Sequence, residues 1–134
     1  MLIKTYTSDK IFARPKIVRR LTQLTNQSPP IDFYYGSAMR DDLRLKRTGQ
    51  FFLAWSSRII IAWASLNRDR YNGFWQIGVY VEPVHRRKGI GSKLCKKAKA
   101  FANMTGETIR FQDEHDGLGH DMYKKTGFLY SCRG

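Results

Sequence analysis

Arg86-Arg87-Lys88-Gly89-Ile90-Gly91 places three cations and two glycines directly before a segment of helical periodicity. Glycine lets a backbone approach a ligand closely, because no side chain stands in the way. The first N–H groups of a helix have no acceptor within the helix and point outward. The positive end of the helix dipole and the flanking cations complete a site for phosphate-like anions. Two other phosphate motifs fail on the residues themselves. The P-loop spacing Gly-x4-Gly-Lys-Ser/Thr occurs nowhere in the chain. A dinucleotide Gly-x-Gly-x-x-Gly would need glycine where Leu94 stands.

The elements around this turn follow from residue periodicity. Gly89–Thr105 is read as an amphipathic helix, with Ile90, Leu94, Ala98, Phe101 and Ala102 inward and Lys93, Lys96, Lys97 and Lys99 mostly outward. Gly106 stops it. Before the turn, Gln50–Trp55, Arg58–Leu66 and Phe74–Val81 are rich in β-branched and aromatic residues and read as strands. Ser56-Ser57 links the first two as a hairpin, and Asn67–Gly73 is a polar turn. Leu2–Tyr6 is a further strand. Pro15 begins a helix in which Ile17, Val18, Leu21 and Leu24 share a face opposite Lys16, Arg19, Arg20 and Gln23. Ser37–Arg47 is a second short helix; Thr108–Gln112, Gly117–Thr126 and Phe128–Cys132 read as strand, helix and strand. The expected fold is α/β (α+β): a mixed, mostly antiparallel twisted sheet with helices on both faces.

Composition narrows the class. A chain of 134 residues fits one domain, 1–134, and its 42% hydrophobic content is enough for a core. The longest apolar run, Ile59–Ala64, is far short of the roughly 20 residues of a membrane span. Met1–Lys10 lacks the apolar stretch of a signal peptide, so a cytoplasmic location is expected. Two cysteines, Cys95 and Cys132, argue against a disulfide scaffold or a zinc site, and Cys95 falls on the inward face of its helix. His115 and His120 lack a cysteine at ligand spacing, so no metal is expected. Trp55, Trp63 and Trp75 fall on strands, as packed residues do.

The turn Arg86-x-x-Gly89-x-Gly91, entered by Val79-Tyr80-Val81-Glu82-Pro83, resembles the pyrophosphate loop of the GNAT superfamily of N-acetyltransferases. Tyr123-Lys124-Lys125-Thr126-Gly127-Phe128 resembles the Tyr-x-x-x-Gly-Phe that closes the family's helix after the fifth strand. Two positions depart from the family: Asp116 and Gly119 stand where Asn and Ala are common. The resemblance runs from about Gln50 to Cys132 and reaches Leu2–Arg47 only through element order.

Several expectations follow from the resemblance. Strands 4 and 5 are splayed, and the pantetheine arm of acetyl-CoA lies in the gap against the backbone of Val79 and Val81. Arg86, Arg87, Lys88, Gly89, Ile90 and Gly91 hold the pyrophosphate; Asp116 joins them at the Asn position, with Lys93 or Lys96 at the outer phosphate. The amine attacks the thioester directly, without a covalent enzyme, and Tyr123 protonates the departing thiolate. A packed core tyrosine is the other reading of Tyr123. The branch that acetylates ribosomal-protein N-termini keeps a Glu twelve residues before the Tyr, where this chain has Phe111. Asp113, Glu114, His115, Asp116 and Glu82 remain as bases, with Asp113 placed first.

Charge points to the acceptor. The chain holds 24 Lys+Arg against 11 Asp+Glu, a formal +13, more than coenzyme A requires. Such a field raises the encounter rate with polyanions. Asp113, Glu114, Asp116 and Asp121 form an acidic cluster within it, which suits a cationic amine carried on a polyanionic body. Helix capping explains the same carboxylates, at roughly 0.3–1 kcal/mol each. An amine on a protein or other macromolecule is the expected acceptor, with a nucleic acid or an acidic protein as partner, no membrane, and a monomer or dimer. Two further readings stay open. One is modification of nucleic acid or aminoacyl-tRNA: phage Mom-type proteins resemble GNATs and carry an Asp ten residues before the closing Tyr, as Asp113 and Tyr123 do here, although the rest of their pattern has no counterpart. The other is a catalytically inactive GNAT-fold module that binds nucleic acid.

Overall fold

The computed structural model describes residues 1–26, 49–68, 75–111 and 120–130. Their elements are β1 (Leu2–Thr7), α1 (Ser8–Phe12), α2 (Pro15–Asn26), β2 (Gly49–Ser56), β3 (Ile59–Arg68), β4 (Trp75–Val81), α3 (Ile90–Thr105), β5 (Ile109–Phe111), α4 (His120–Thr126) and β6 (Leu129–Tyr130). The strands form one six-stranded sheet in chain order. Pairing is antiparallel from β1 to β4 and parallel from β4 to β6. Tight turns can join antiparallel neighbours, whereas parallel ones need a crossover, which α3 and α4 provide.

Helices cover both faces, as expected. Strand side chains alternate between two cores. Phe52, Ala64, Leu66, Ile77 and Val79 pack against Leu94, Cys95 and Ala98 of α3 and Tyr123 of α4. Phe51, Leu53, Trp63 and Tyr80 pack on the other face against Ile11, Ile17, Leu21 and Leu24. The apolar stripe anticipated on α2 is thus the one that is buried. Phe51, Phe52 and Leu53 are all fully enclosed, and each contributes about 1.5–3 kcal/mol by leaving water. Because successive residues serve opposite cores, β2 reads as a continuous apolar run.

Four details differ from the sequence expectations. The β2–β3 turn is Ser57-Arg58, since Ser56 still pairs with Ile59; Ser57 takes the positive φ of 59° that the tight turn requires. Asn67 and Arg68, placed in a turn by their polarity, pair with Gln76 and Trp75 and extend the ladder. Ala54 pairs with Ala62 and Trp55 with Ile60, so Ile61 is the extra residue of a bulge. The short α1 carries too few residues for its period to show. The Ser37–Arg47 helix lies outside the described residues.

Candidate active site

The β3–β4 ladder runs the length of β4, from Arg68↔Trp75 to Ala62↔Val81. The β4–β5 ladder holds only at Trp75↔Ile109 and Gln76↔Arg110. Beyond it, among the described residues, Ile77–Val81 have no strand on that side. Backbone polarity shows which groups face the opening. The Trp75 N–H donates to Thr108 O at 3.1 Å on the β5 side, and the Glu82 N–H donates to Ile61 O at 2.9 Å on the β3 side. Antiparallel strands alternate residue by residue, so Val79 and Val81 turn their N–H and C=O toward the gap. The splay falls where the sequence expectation put it, and Val79 and Val81 lie along it.

A 3-10 turn, Pro83–His85, leads from β4 to the glycine loop. Arg87 and Gly89 adopt left-handed backbone, with φ of 65° and 76°. Gly89 is the N-cap of α3 and no side chain caps that end. The first backbone bond of the helix is Lys93 N–H to Gly89 O at 3.1 Å. The N–H groups of Ile90, Gly91 and Ser92 therefore have no acceptor within the helix. A Cβ on Gly89 would meet nothing within 4 Å, so its outer side is open, while its φ disfavours any other residue.

Gly91 also has a packing role that the sequence does not show. A Cβ there would stand 2.8 Å from Met122 Sδ and 3.7 Å from Val81 Cγ2. Its bareness lets the α3 N-terminus close on the end of β4 and on α4, which brings the exposed N–H groups to the mouth of the gap. The three cations also divide. Arg86 turns inward: its Nε donates to Val81 O at 2.9 Å and its guanidinium lies 5.6 Å from the Tyr80 ring centroid. Arg87 and Lys88 are exposed. Arg86 thus braces the loop against β4 and occupies one lone pair of a carbonyl that faces the gap.

Tyr123 is fully buried, its ring 4.9 Å from that of Phe111 and 6.1 Å from that of Phe128. The spacing of its motif is a helix stop. Phe128 N–H donates to Tyr123 O at 3.1 Å and Gly127 N–H to Lys124 O at 3.0 Å. This is a Schellman cap, with Gly127 at φ 92° and the apolar pair Tyr123–Phe128 closing it. Phe111, whose position holds a Glu in one branch of the resembling family, packs on that tyrosine.

Glu82 is not a solvated loop charge. Its Oε2 lies 3.1 Å from Arg20 Nη2 and its Oε1 3.6 Å from His85 Nε2. Arg20 Nε also donates to Ile60 O at 2.9 Å. The expected basic face of α2 therefore loses Arg20, while Lys16 and Arg19 remain exposed. Nothing in the sequence signals this pairing, since 62 residues separate the partners. Asp113, Glu114, His115 and Asp116 lie outside the described residues. Cys95 is buried, and desolvation pushes its thiol up to about 12, opposed by a hydrogen bond with Thr126. Trp63 and Trp75 are buried, and Trp55 is half-buried under Lys4. Among the described residues no group of His, Cys, Asp and Glu could hold a metal, and no helix is long and apolar enough to cross a membrane.

The model of the acetyltransferase (GNAT) domain family matches residues 47–129. No curated protein is significantly similar in sequence. Solved structures share the fold. An acyl-CoA N-acyltransferase from Pseudomonas aeruginosa superposes with a TM-score of 0.76 at 19% identity, over 99% of this chain and 90% of that one. An aminoglycoside antibiotic 6′-N-acetyltransferase from Acinetobacter haemolyticus gives 0.65 at 22%, over 100% and 94%. A predicted acetyltransferase from Clostridium acetobutylicum, crystallised with acetyl-CoA, gives 0.59 at 20%, over 99% and 92%.

Proposed function

The chain belongs to the acetyltransferase (GNAT) domain family, and from that premise we propose that it moves an acetyl group from acetyl-CoA to an amine on a macromolecule. The reading rests on one arrangement: a gap beside β4 whose mouth holds the uncapped N-terminus of α3. A long thioester with a pyrophosphate partway along it fits both parts. Val79 and Val81 offer N–H and C=O groups for its amides, and the Gly89–Ser92 amides suit the pyrophosphate, with Arg87 and Lys88 beside them. Bound there, acetyl-CoA supplies an acetyl group activated as a thioester.

The chain's residues then have distinct tasks. A backbone N–H of β4 polarises the thioester carbonyl, since a fixed donor favours the negative charge that develops on that oxygen. The amine's proton passes to a base, for which Asp113 is the first candidate. Tyr123 holds the proton that the leaving thiolate takes up. Its ring lies against Phe111 in the core that also holds Val79.

A macromolecular acceptor is favoured by the net charge of +13. The aminoglycoside enzyme of the same fold makes a small amine the competing acceptor. Incubating a lysate with the protein and labelled acetyl-CoA, then separating macromolecules from small solutes, distinguishes them. Label confined to the small fraction would overturn the macromolecular reading. Calorimetry with acetyl-CoA tests the enzyme itself, because the inactive binding module held open above need not bind it.

A further inference from the structure

We propose that the exposed lysines of the neighbouring helices α3 and α4 dock the phosphate backbone of double-stranded nucleic acid. This deepens the macromolecular-acceptor reading and rests on it for its purpose, although docking is measurable without turnover. α3 carries Lys93, Lys96, Lys97 and Lys99 and no carboxylate. The first three are exposed. Like charges three and four residues apart oppose helix formation, and cations near a helix N-terminus oppose its dipole. Helix energetics alone disfavour this crowding, and a polyanion would relieve it.

The neighbouring helix α4 adds two more lysines. Lys124 and Lys125 are exposed in its last turn. The two helices touch where Gly91 meets Met122 and where Lys99 Nζ lies 3.4 Å from Gly127 O. Acetyl-CoA accounts for the Arg86–Gly91 loop and the lysines nearest it. Lys97 sits about 12 Å along the helix from Gly89, at 1.5 Å per residue, and with Lys124 and Lys125 extends beyond what the loop requires.

The residues between the lysines select the occupant. Ser92, Ala100 and Asn103 are the other exposed residues along this stretch of α3. None is aromatic, so this stretch of α3 offers no platform for stacking the bases of a single strand. No apolar row accompanies the charge to enter a lipid surface; Met104, two turns beyond Lys97, stands alone at the end of α3. A protein partner ordinarily requires buried aromatic or arginine anchors, and the exposed residues described on α3 and α4 include neither. Lysines alone, as point charges, suit sequence-independent contact with duplex phosphates.

The test compares wild type with the variant Lys97→Glu/Lys124→Glu/Lys125→Glu, titrating a short DNA duplex at several salt concentrations. Duplex RNA, single strands and phosphatidylserine vesicles are run alongside. The variant is expected to lose at least about 10-fold in duplex affinity, and the slope of log K against log salt to shrink by about 2–3. Acetyl-CoA affinity and circular dichroism should stay unchanged. Should charge reversal unfold the protein, the same triple change to Gln tests the slope. Duplex affinity within about threefold of wild type in a folded variant overturns the proposal. So does a wild-type protein that prefers vesicles or single strands, or that ignores duplex at low salt. Lost acetyl-CoA binding in wild type would sink the enzymatic reading and leave this one standing.

Discussion

Arg20 on α2 and Glu82 at the end of β4 are joined at 3.1 Å across 62 residues of chain. The same guanidinium donates to Ile60 O, and the next carbonyl, Ile61 O, accepts the Glu82 N–H. Ile61 is the extra residue of the β3 bulge. One helix, one bulge and one strand end thus converge where the chain enters the glycine loop, so α2 helps set the loop's position.

This junction is testable by a double-mutant cycle of Arg20→Ala and Glu82→Gln. The side chains are 23% and 18% exposed, which limits the pair to a coupling of about 0.5–1 kcal/mol in urea unfolding. Glu82→Gln also separates an anchor from a general base. A base would lose about 10²–10⁴ in turnover. The ion pair leads us to expect a loss below about tenfold.

Gly91→Val should weaken acetyl-CoA binding by forcing α3 away from β4 and Met122. Met122 ends in a flexible thioether, so adding Met122→Ala is expected to restore part of the stability. Calorimetry and thermal unfolding of the single and double variants follow the two effects separately. Unchanged acetyl-CoA affinity in a folded Gly91→Val protein would remove the loop from the binding site.

Tyr123→Phe keeps the ring against Phe111 and Phe128 and the helix cap intact while removing the phenolic proton. Acetyl-CoA affinity should persist, and turnover should fall by about 10²–10⁴. A variant that binds normally and turns over within about threefold of wild type would show that the tyrosine only packs, with water protonating the thiolate.

Cys95 should resist alkylation in the folded protein at neutral pH, because burial holds it as the thiol. In the unfolded chain the same group ionises near 9.0. Between pH 9.0 and about 12 the unfolded state therefore binds fewer protons, and stability falls as pH rises through that window. The slope from this group is at most about 1.4 kcal/mol per pH unit. Cys95→Ala in a Cys132→Ser background should flatten that part of the stability curve; an unchanged curve would mean that the thiol ionises normally when folded.

Much of the site was legible because short-range chemistry writes it into neighbouring residues. Runs rich in β-branched and aromatic residues marked the strands. The pairing of Gly89 and Gly91 with a helical period marked a helix start, and Tyr123 with Gly127 and Phe128 marked a helix end. Each is a local rule of backbone geometry, readable within a few positions. The segment bearing Asp113 and Asp116 lies outside the described residues, so the choice of base stands where the sequence left it.

What the sequence determined by itself is therefore most of the described elements and their order. Only the tertiary structure decided what each group faces. It sent Arg86 inward to Val81 O, took Arg20 out of the basic face to meet Glu82, and made Gly91 a contact point for Met122. It also limited the β4–β5 ladder to two residue pairs, which opens the gap. The reason is physical: a charge or a bare backbone has no preferred partner until packing brings distant segments together, and sequence spacing carries no record of that approach.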